Sequence, residues 1–182
     1  MAIKFLLAAL LLAGLPAHAA NYIQAPGSRL AFAGTYQGEK FTGRFNGFAT
    51  RLSFDPRQLA NARLDVVIPL ASVAISNPDY TSELRGAAFL NTSKFPQARY
   101  TATRFRALGG NRYAADGTLS LRGVSNPVTL EFTWTPGARA VLVGKATVRR
   151  LAFGVGGGEW ADTSLIPDNV SISTRVVLVA GK

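Results

Sequence analysis

The chain has 182 residues, 20 Lys and Arg against 10 Asp and Glu, a formal charge of +10, no Cys and one His. That His, His18, falls inside an N-terminal export signal, so residues 20–182 hold neither His nor Cys. Ser-His-Asp and Cys-His catalysis are thereby excluded, a zinc site loses its usual ligands, and no disulfide framework can stand in for a hydrophobic core.

The export signal is "MAIKFLLAALLLAGLPAHAA". Its apolar run from Phe5 to Leu15 is shorter than the roughly 18–20 residues that cross a bilayer. Pro16 and the small-x-small triplet Ala17-His18-Ala19 follow, the pattern a signal peptidase reads. Residues 1–19 are therefore expected to be a signal peptide cleaved after Ala19, leaving 163 residues outside the cytoplasm, enough for one core. Lys4 leaves with it, so 19 basic face 10 acidic side chains. Only Arg149 and Arg150 are adjacent, so no basic stretch tracks a nucleic-acid backbone. The scattered charge predicts a solvated basic surface, open to transient contact with an anionic membrane.

From Ser28 onward the pattern is that of strands. Segments 28–36 (Leu30, Phe32, Tyr36) and 40–54 (Phe41, Phe45, Phe48, Leu52, Phe54) are followed by a turn at Asp55-Pro56 and a strand over 62–75. Asn77, Pro78 and Asp79 then open a short helix that Gly86 can end, with Tyr80 and Leu84 on it and Phe89, Leu90 and Phe95 just beyond. Strands over 98–108 and 112–122 flank a turn at Gly109-Gly110-Asn111, and Asn126-Pro127 marks another turn. "VTLEFTW" puts Val128, Leu130, Phe132 and Trp134 on one face. After Pro136-Gly137 comes 140–152, and "NVSISTRVVLV" alternates Val170, Ile172, Thr174, Val176 and Leu178 against polar partners.

About eight such strands without crossover helices fit a closed antiparallel barrel, because closure removes exposed edges, and the short helix can cover one open end. Small residues on the apolar faces (Gly34, Gly43, Gly47, Ala102, Gly144) point to a cavity inside rather than a filled core.

Between the last two strands stands "GVGGGEWADTS", residues 154–164. A phosphate cradle needs a helix after the glycines, and here Glu159 stands at the last glycine of G-x-G-x-x-G and no P-loop Lys follows. The glycines instead permit positive φ, with Trp160 as an apolar plug or wall. Glu159, Asp162 and Asp168 are the remaining catalytic candidates for hydrolysis. Turn capping is the commoner role of loop carboxylates, and the D-x-D-x-D spacing of a calcium loop is missing.

Four stretches together, "GRFNGFATRLSFDP" (43–56), "AAFLNTSKFPQARYTAT" (87–103), "GTLSLRGVSNPVTLEF" (117–132) and "RRLAFGVGGGEWADTS" (149–164), resemble the YceI-like family of periplasmic polyisoprenoid-binding proteins. Ala88, Arg122 and Ala152 depart from the family's usual residues. The resemblance implies an eight-stranded antiparallel lipocalin-like barrel with a helical cap over residues 20–182, located in the periplasm. It also implies a non-enzymatic tunnel for a long-chain isoprenoid lipid, such as a quinone tail or a polyprenyl phosphate, with no cofactor; the alternatives are a binder of another amphiphile, such as a fatty acid or fatty amide, and a structural or stress-linked envelope protein whose filled barrel holds no ligand. A homodimer stays open. The tunnel is expected to be lined by Leu30, Phe32, Phe41, Phe45 and Phe48 of the first strands, and by Phe105, Leu130, Phe132 and Trp134 of the later ones. Tyr80, Leu84, Phe89 and Phe95 come from the cap, and Phe153 and Trp160 from the glycine-rich segment. Arg85, Arg122, Arg149 and Arg150 are the candidates to meet a headgroup at the mouth.

Overall fold

Alternating apolar residues produce ten strands in the computed structural model, which describes residues 20–181. They are β1 (Ala20–Tyr36), β2 (Glu39–Phe45), β3 (Ala49–Phe54), β4 (Arg63–Pro69), β5 (Val73–Ile75), β6 (Gln97–Gly109), β7 (Arg112–Leu121), β8 (Val124–Thr135), β9 (Ala140–Arg149) and β10 (Asn169–Ala180). One short helix, α1 (Asp79–Arg85), interrupts them. The expected signal peptide and its cleavage point lie outside the described residues.

The sheet runs β10-β9-β8-β7-β6-β4-β3-β1 and closes through a β1–β10 ladder from Tyr22↔Ala180 to Ala33↔Ser171. β2 and β3 are two halves of the single strand predicted over 40–54. The start of β1 pairs with β3 (Ala20↔Phe54) and its end with β2 (Leu30↔Phe45). The switch coincides with a bulge between Ala25 and Arg29, where Gly27 takes φ +94°. The predicted strand 62–75 is likewise split, by a turn at Leu70–Ser72, into β4 and β5. Each broken strand serves as one wall, and the result is the expected closed eight-stranded antiparallel barrel with a short helical cap.

Whereas β4 continues the wall to β6, β5 pairs with β2. The barrel therefore opens between β5 and β6 at one end, and α1 with residues 86–96 covers that side; Leu70 N–H donates to Pro96 O at 2.9 Å. Asn77 caps as predicted, its Oδ1 accepting from Asp79 N–H at 3.1 Å.

The opposite end is closed by aromatic rings. Phe54, 1% exposed, lies 5.1–5.9 Å from the ring centres of Phe105, Tyr113, Phe132 and Trp134. These edge-on and tilted packings are the favourable ones for aromatic quadrupoles.

Two sequence expectations need correction. Asn126-Pro127 is no turn: both residues lie within β8, and the chain reverses four residues earlier through Arg122 (φ +53°) and Gly123 (φ +77°). Pro127 is tolerated because the β8–β9 ladder runs only over Glu131–Thr135, leaving an unpaired edge beside it. The glycines, in turn, do not leave space for a cavity. Gly43 faces Phe32 and Gly34 faces Phe41 across the β1–β2 ladder, and a Cβ at Gly43 would fall within the Phe32 ring. A Cβ at Gly144 would stand 2.9 Å from Leu130. These glycines let large side chains lie flat against the sheet, while Ala102 is packed into the closed-end core.

Candidate functional site: an apolar cavity with an aromatic rim

Two apolar clusters fill the barrel, one at the closed end and one beneath the cap. Between them lies a cavity of about 520 Å³. Leu64, Tyr100, Leu130 and Leu142, which belong to the closed-end cluster, form its floor, and Tyr36, Tyr80 and Trp160 stand at its rim.

Ten of the fifteen predicted residues border this cavity: Leu30, Phe32, Phe41, Phe45, Phe48, Tyr80, Leu84, Phe89, Leu130 and Trp160. Five do not. Phe105, Phe132 and Trp134 belong to the aromatic plug beneath the floor. Phe95 packs with the cluster under the cap, close to Gly123, with the Arg122 guanidinium 6.0 Å from its ring centre. Phe153 is buried in the turn after β9. Strand alternation identifies the inward face but not the height along the barrel, so Leu130 and Phe132 read alike although only Leu130 reaches the lumen. Residues missed in the sequence include Thr50, Val66, Tyr100, Ala146 and the β10 row Val170, Ile172, Thr174 and Val176. The β10 alternation was the available signal for that row.

The rim joins three segments. Trp160 packs between Tyr36 and Phe89, with ring centres 6.3 and 5.4 Å away. Gly156 N–H donates to Ala88 O, and Gln37 N–H to Leu165 O, both at 2.8 Å. Tyr80, at 51% exposure, is left as an aromatic ring facing solvent at the entrance.

The glycine-rich loop holds a cation of its own chain. Gly154, Gly156 and Gly158 alternate at φ +69°, +65° and +62°, which turns carbonyl oxygens toward Arg150. Its guanidinium, in a residue only 4% exposed, donates to Pro167, Val155, Gly156, Trp160 and Ile166 carbonyls at 2.6–3.1 Å. A phosphate cradle would need N–H groups converging there. Burial pulls the Arg150 pKa down, and the Asp168 charge opposes this. Gly156 is required in this loop because a Cβ would come 2.5 Å from Arg150 Nη1.

The remaining candidate arginines are also engaged. Arg122 Nη1 donates to Ala87 O and Phe89 O, Arg85 Nη2 to Val73 O at 3.1 Å, and Arg149 pairs with Asp168 at 2.9 Å. Of the carboxylates, Asp168 is held below its ordinary range first by the Leu151 N–H and then by Arg149. Asp162 is lowered by the Ser164 hydroxyl and backbone N–H. Both are loop-capping groups. Among the described residues no three His, Cys, Asp or Glu side chains gather as a metal site.

Arg150→Lys should therefore be far from conservative. A single ammonium offers three donors where five carbonyls now find them, and bonds to a charged group contribute about 1.5–3 kcal/mol each. A loss on the order of 2–4 kcal/mol is expected, moderated by local opening of the loop. Urea unfolding followed by tryptophan fluorescence, with Trp160 as the loop's own reporter, checks this. A midpoint equal to the parent's would contradict it.

A YceI-like domain model matches residues 22–178. A UPF0312 protein of Shewanella baltica (strain OS185) is 31% identical over 162 residues, covering 82% of this chain and 84% of that protein. A UPF0312 protein of Yersinia pestis (strain Pestoides F) is 40% identical over 89 residues, 49% of this chain and 46% of the relative. Among solved structures, Burkholderia cenocepacia BcnA superposes with a TM-score of 0.79 at 29% identity, covering 82% of this chain and 95% of its own. A polyisoprenoid binding domain from Saccharophagus degradans, implicated in plant cell wall breakdown, gives 0.68 at 17% identity, covering 90% and 100%, a likeness of fold alone.

Proposed function

Because the chain belongs to the YceI-like family, we propose that it is a periplasmic binding or carrier protein for a long-chain isoprenoid lipid, of isoprenoid-quinone or polyprenyl-phosphate type. The observation that carries this reading is the cavity: about 520 Å³, walled by aliphatic and aromatic side chains, floored at one end and rimmed by aromatic rings at the other. That volume falls in the range of about 300–1,000 Å³ typical of ligand sites. The name of the Saccharophagus domain supports the same ligand class.

Burying a chain contributes about 0.8 kcal/mol per CH₂ relative to water. A bilayer offers a lipid the same gain, so net affinity for a membrane-derived ligand rests on shape and on polar contacts. The reading assigns no catalytic residue. Asp162 and Asp168 are committed to loop hydrogen bonds, and the positively charged surface serves approach to an anionic membrane.

The test is native mass spectrometry of protein purified from the envelope fraction without detergent. An added mass that is released on unfolding and fragments in isoprene units is the expected result. A fatty acid or fatty amide mass would reassign the ligand. A clean apo mass that also fails to take up an added isoprenoid quinone would overturn the proposal.

A further inference from the structure

Two buried side-chain atoms among the described residues lack a hydrogen-bond partner, Thr50 Oγ1 and Gln24 Oε1. Thr50 is 2% exposed, yet it borders the cavity. An unpaired hydroxyl in an apolar wall is costly and natural folds rarely leave one. Gln24 is oriented by donating from Nε2 to Phe48 O at 2.9 Å, which leaves its Oε1 as a free acceptor.

Only Thr50 borders the cavity: Gln24 is not among its lining residues and lies at the seam where β1 leaves β3 for β2, just past the last β1–β3 pair Ile23↔Arg51. Thr50 stands level with the floor: it pairs with Val66, which pairs with Tyr100. The Tyr100 hydroxyl is already occupied, 2.8 Å from Ala115 O and 3.0 Å from Val128 O, and burial raises its pKa, so it stays neutral. Glu39, Lys40 and Glu83 border the cavity from the segments around its mouth. Arg150, the remaining bordering cation, spends its donors on the rim loop.

Resting on the lipid-cavity reading above, we propose that the cavity floor is a subsite for an uncharged oxygen headgroup, which accepts from the Thr50 hydroxyl. The ligand class this selects is an isoprenoid lipid with a neutral oxygen, an alcohol or a quinone carbonyl, bound head-inward. An ionised phosphate finds no available cation at the floor. A floor built around this donor discriminates against a ligand that lacks the oxygen.

The experiment compares two probes on delipidated protein: geranylgeraniol, and the tetraprenyl hydrocarbon with methyl in place of its CH₂OH, each delivered from cyclodextrin and quantified by native mass spectrometry. Thr50→Val keeps nearly the same shape and removes the hydroxyl. It should weaken geranylgeraniol roughly five- to tenfold and leave the hydrocarbon within about twofold. Circular dichroism checks that the variant is folded. If both probes bind and Thr50→Val does not change their ratio, the floor subsite is overturned while the lipid cavity stands; a floor water satisfying Thr50 gives this result. If neither probe enters the parent protein, both readings fall.

Discussion

Truncating Phe54 to Ala is expected to lower the unfolding free energy by about 3–5 kcal/mol, the upper range for deleting a buried aromatic ring. Phe54 is the hub of the plug, with four other aromatic rings packed around it and almost none of its surface reaching solvent. Their backbones are held in the β1–β3, β6–β7 and β7–β8 ladders, so the wall resists moving inward to refill the space. A void that cannot relax costs more than the transfer energy of the missing atoms. Urea denaturation should show a lower midpoint with an unchanged m-value. A loss below about 1.5 kcal/mol would mean that the plug collapses freely and that the barrel's closed end is softer than its packing indicates.

How much of this molecule was legible in its sequence differs from element to element. Strands were legible because period-two alternation is a direct consequence of one buried and one solvated face, and "VTLEFTW" and "NVSISTRVVLV" became β8 and β10. The turn at Arg122-Gly123 was missed because Asn-Pro is the stronger local signal, although Gly supplies the positive φ that a two-residue hairpin needs. The height of the floor was illegible: Leu130 and Phe132 share one face of one strand, and only the register of the neighbours tells which of them the plug covers. The role of Arg150 was equally hidden, since its carbonyl partners come from residues 155–167 and converge through backbone geometry that no side-chain pattern encodes. Thr50 did leave a trace. It is the lone hydroxyl in the inward series Phe48, Thr50, Leu52, Phe54, where every other member is apolar. The ligand class came from resemblance, because an apolar tunnel by itself does not distinguish an isoprenoid from any other chain.

Filling the lumen without loosening the wall is the complementary experiment, and Ala146→Trp is the variant that does it. Ala146 lies on β9 opposite Ile172 of β10, half-buried, bordering the cavity and packed against the closed-end cluster. An indole there extends into existing space. The strain of overpacking, about 1–3 kcal/mol in a filled core, is therefore largely avoided, and new apolar contacts offset what remains. The expected result is a loss of lipid occupancy of tenfold or more, read as the disappearance of the added mass in native spectra, with a melting temperature within a few degrees of the parent. Phe54→Ala should do the reverse, giving low stability while an unblocked cavity keeps its ligand at temperatures where the barrel is folded. If Ala146→Trp retained the parent's ligand at the parent's occupancy, the lipid would have to bind elsewhere on the molecule. If instead it unfolded the barrel, the β9–β10 wall would be under tighter packing constraint than a 520 Å³ lumen beside it implies. Only loss of ligand with retained fold ties the cavity to the function.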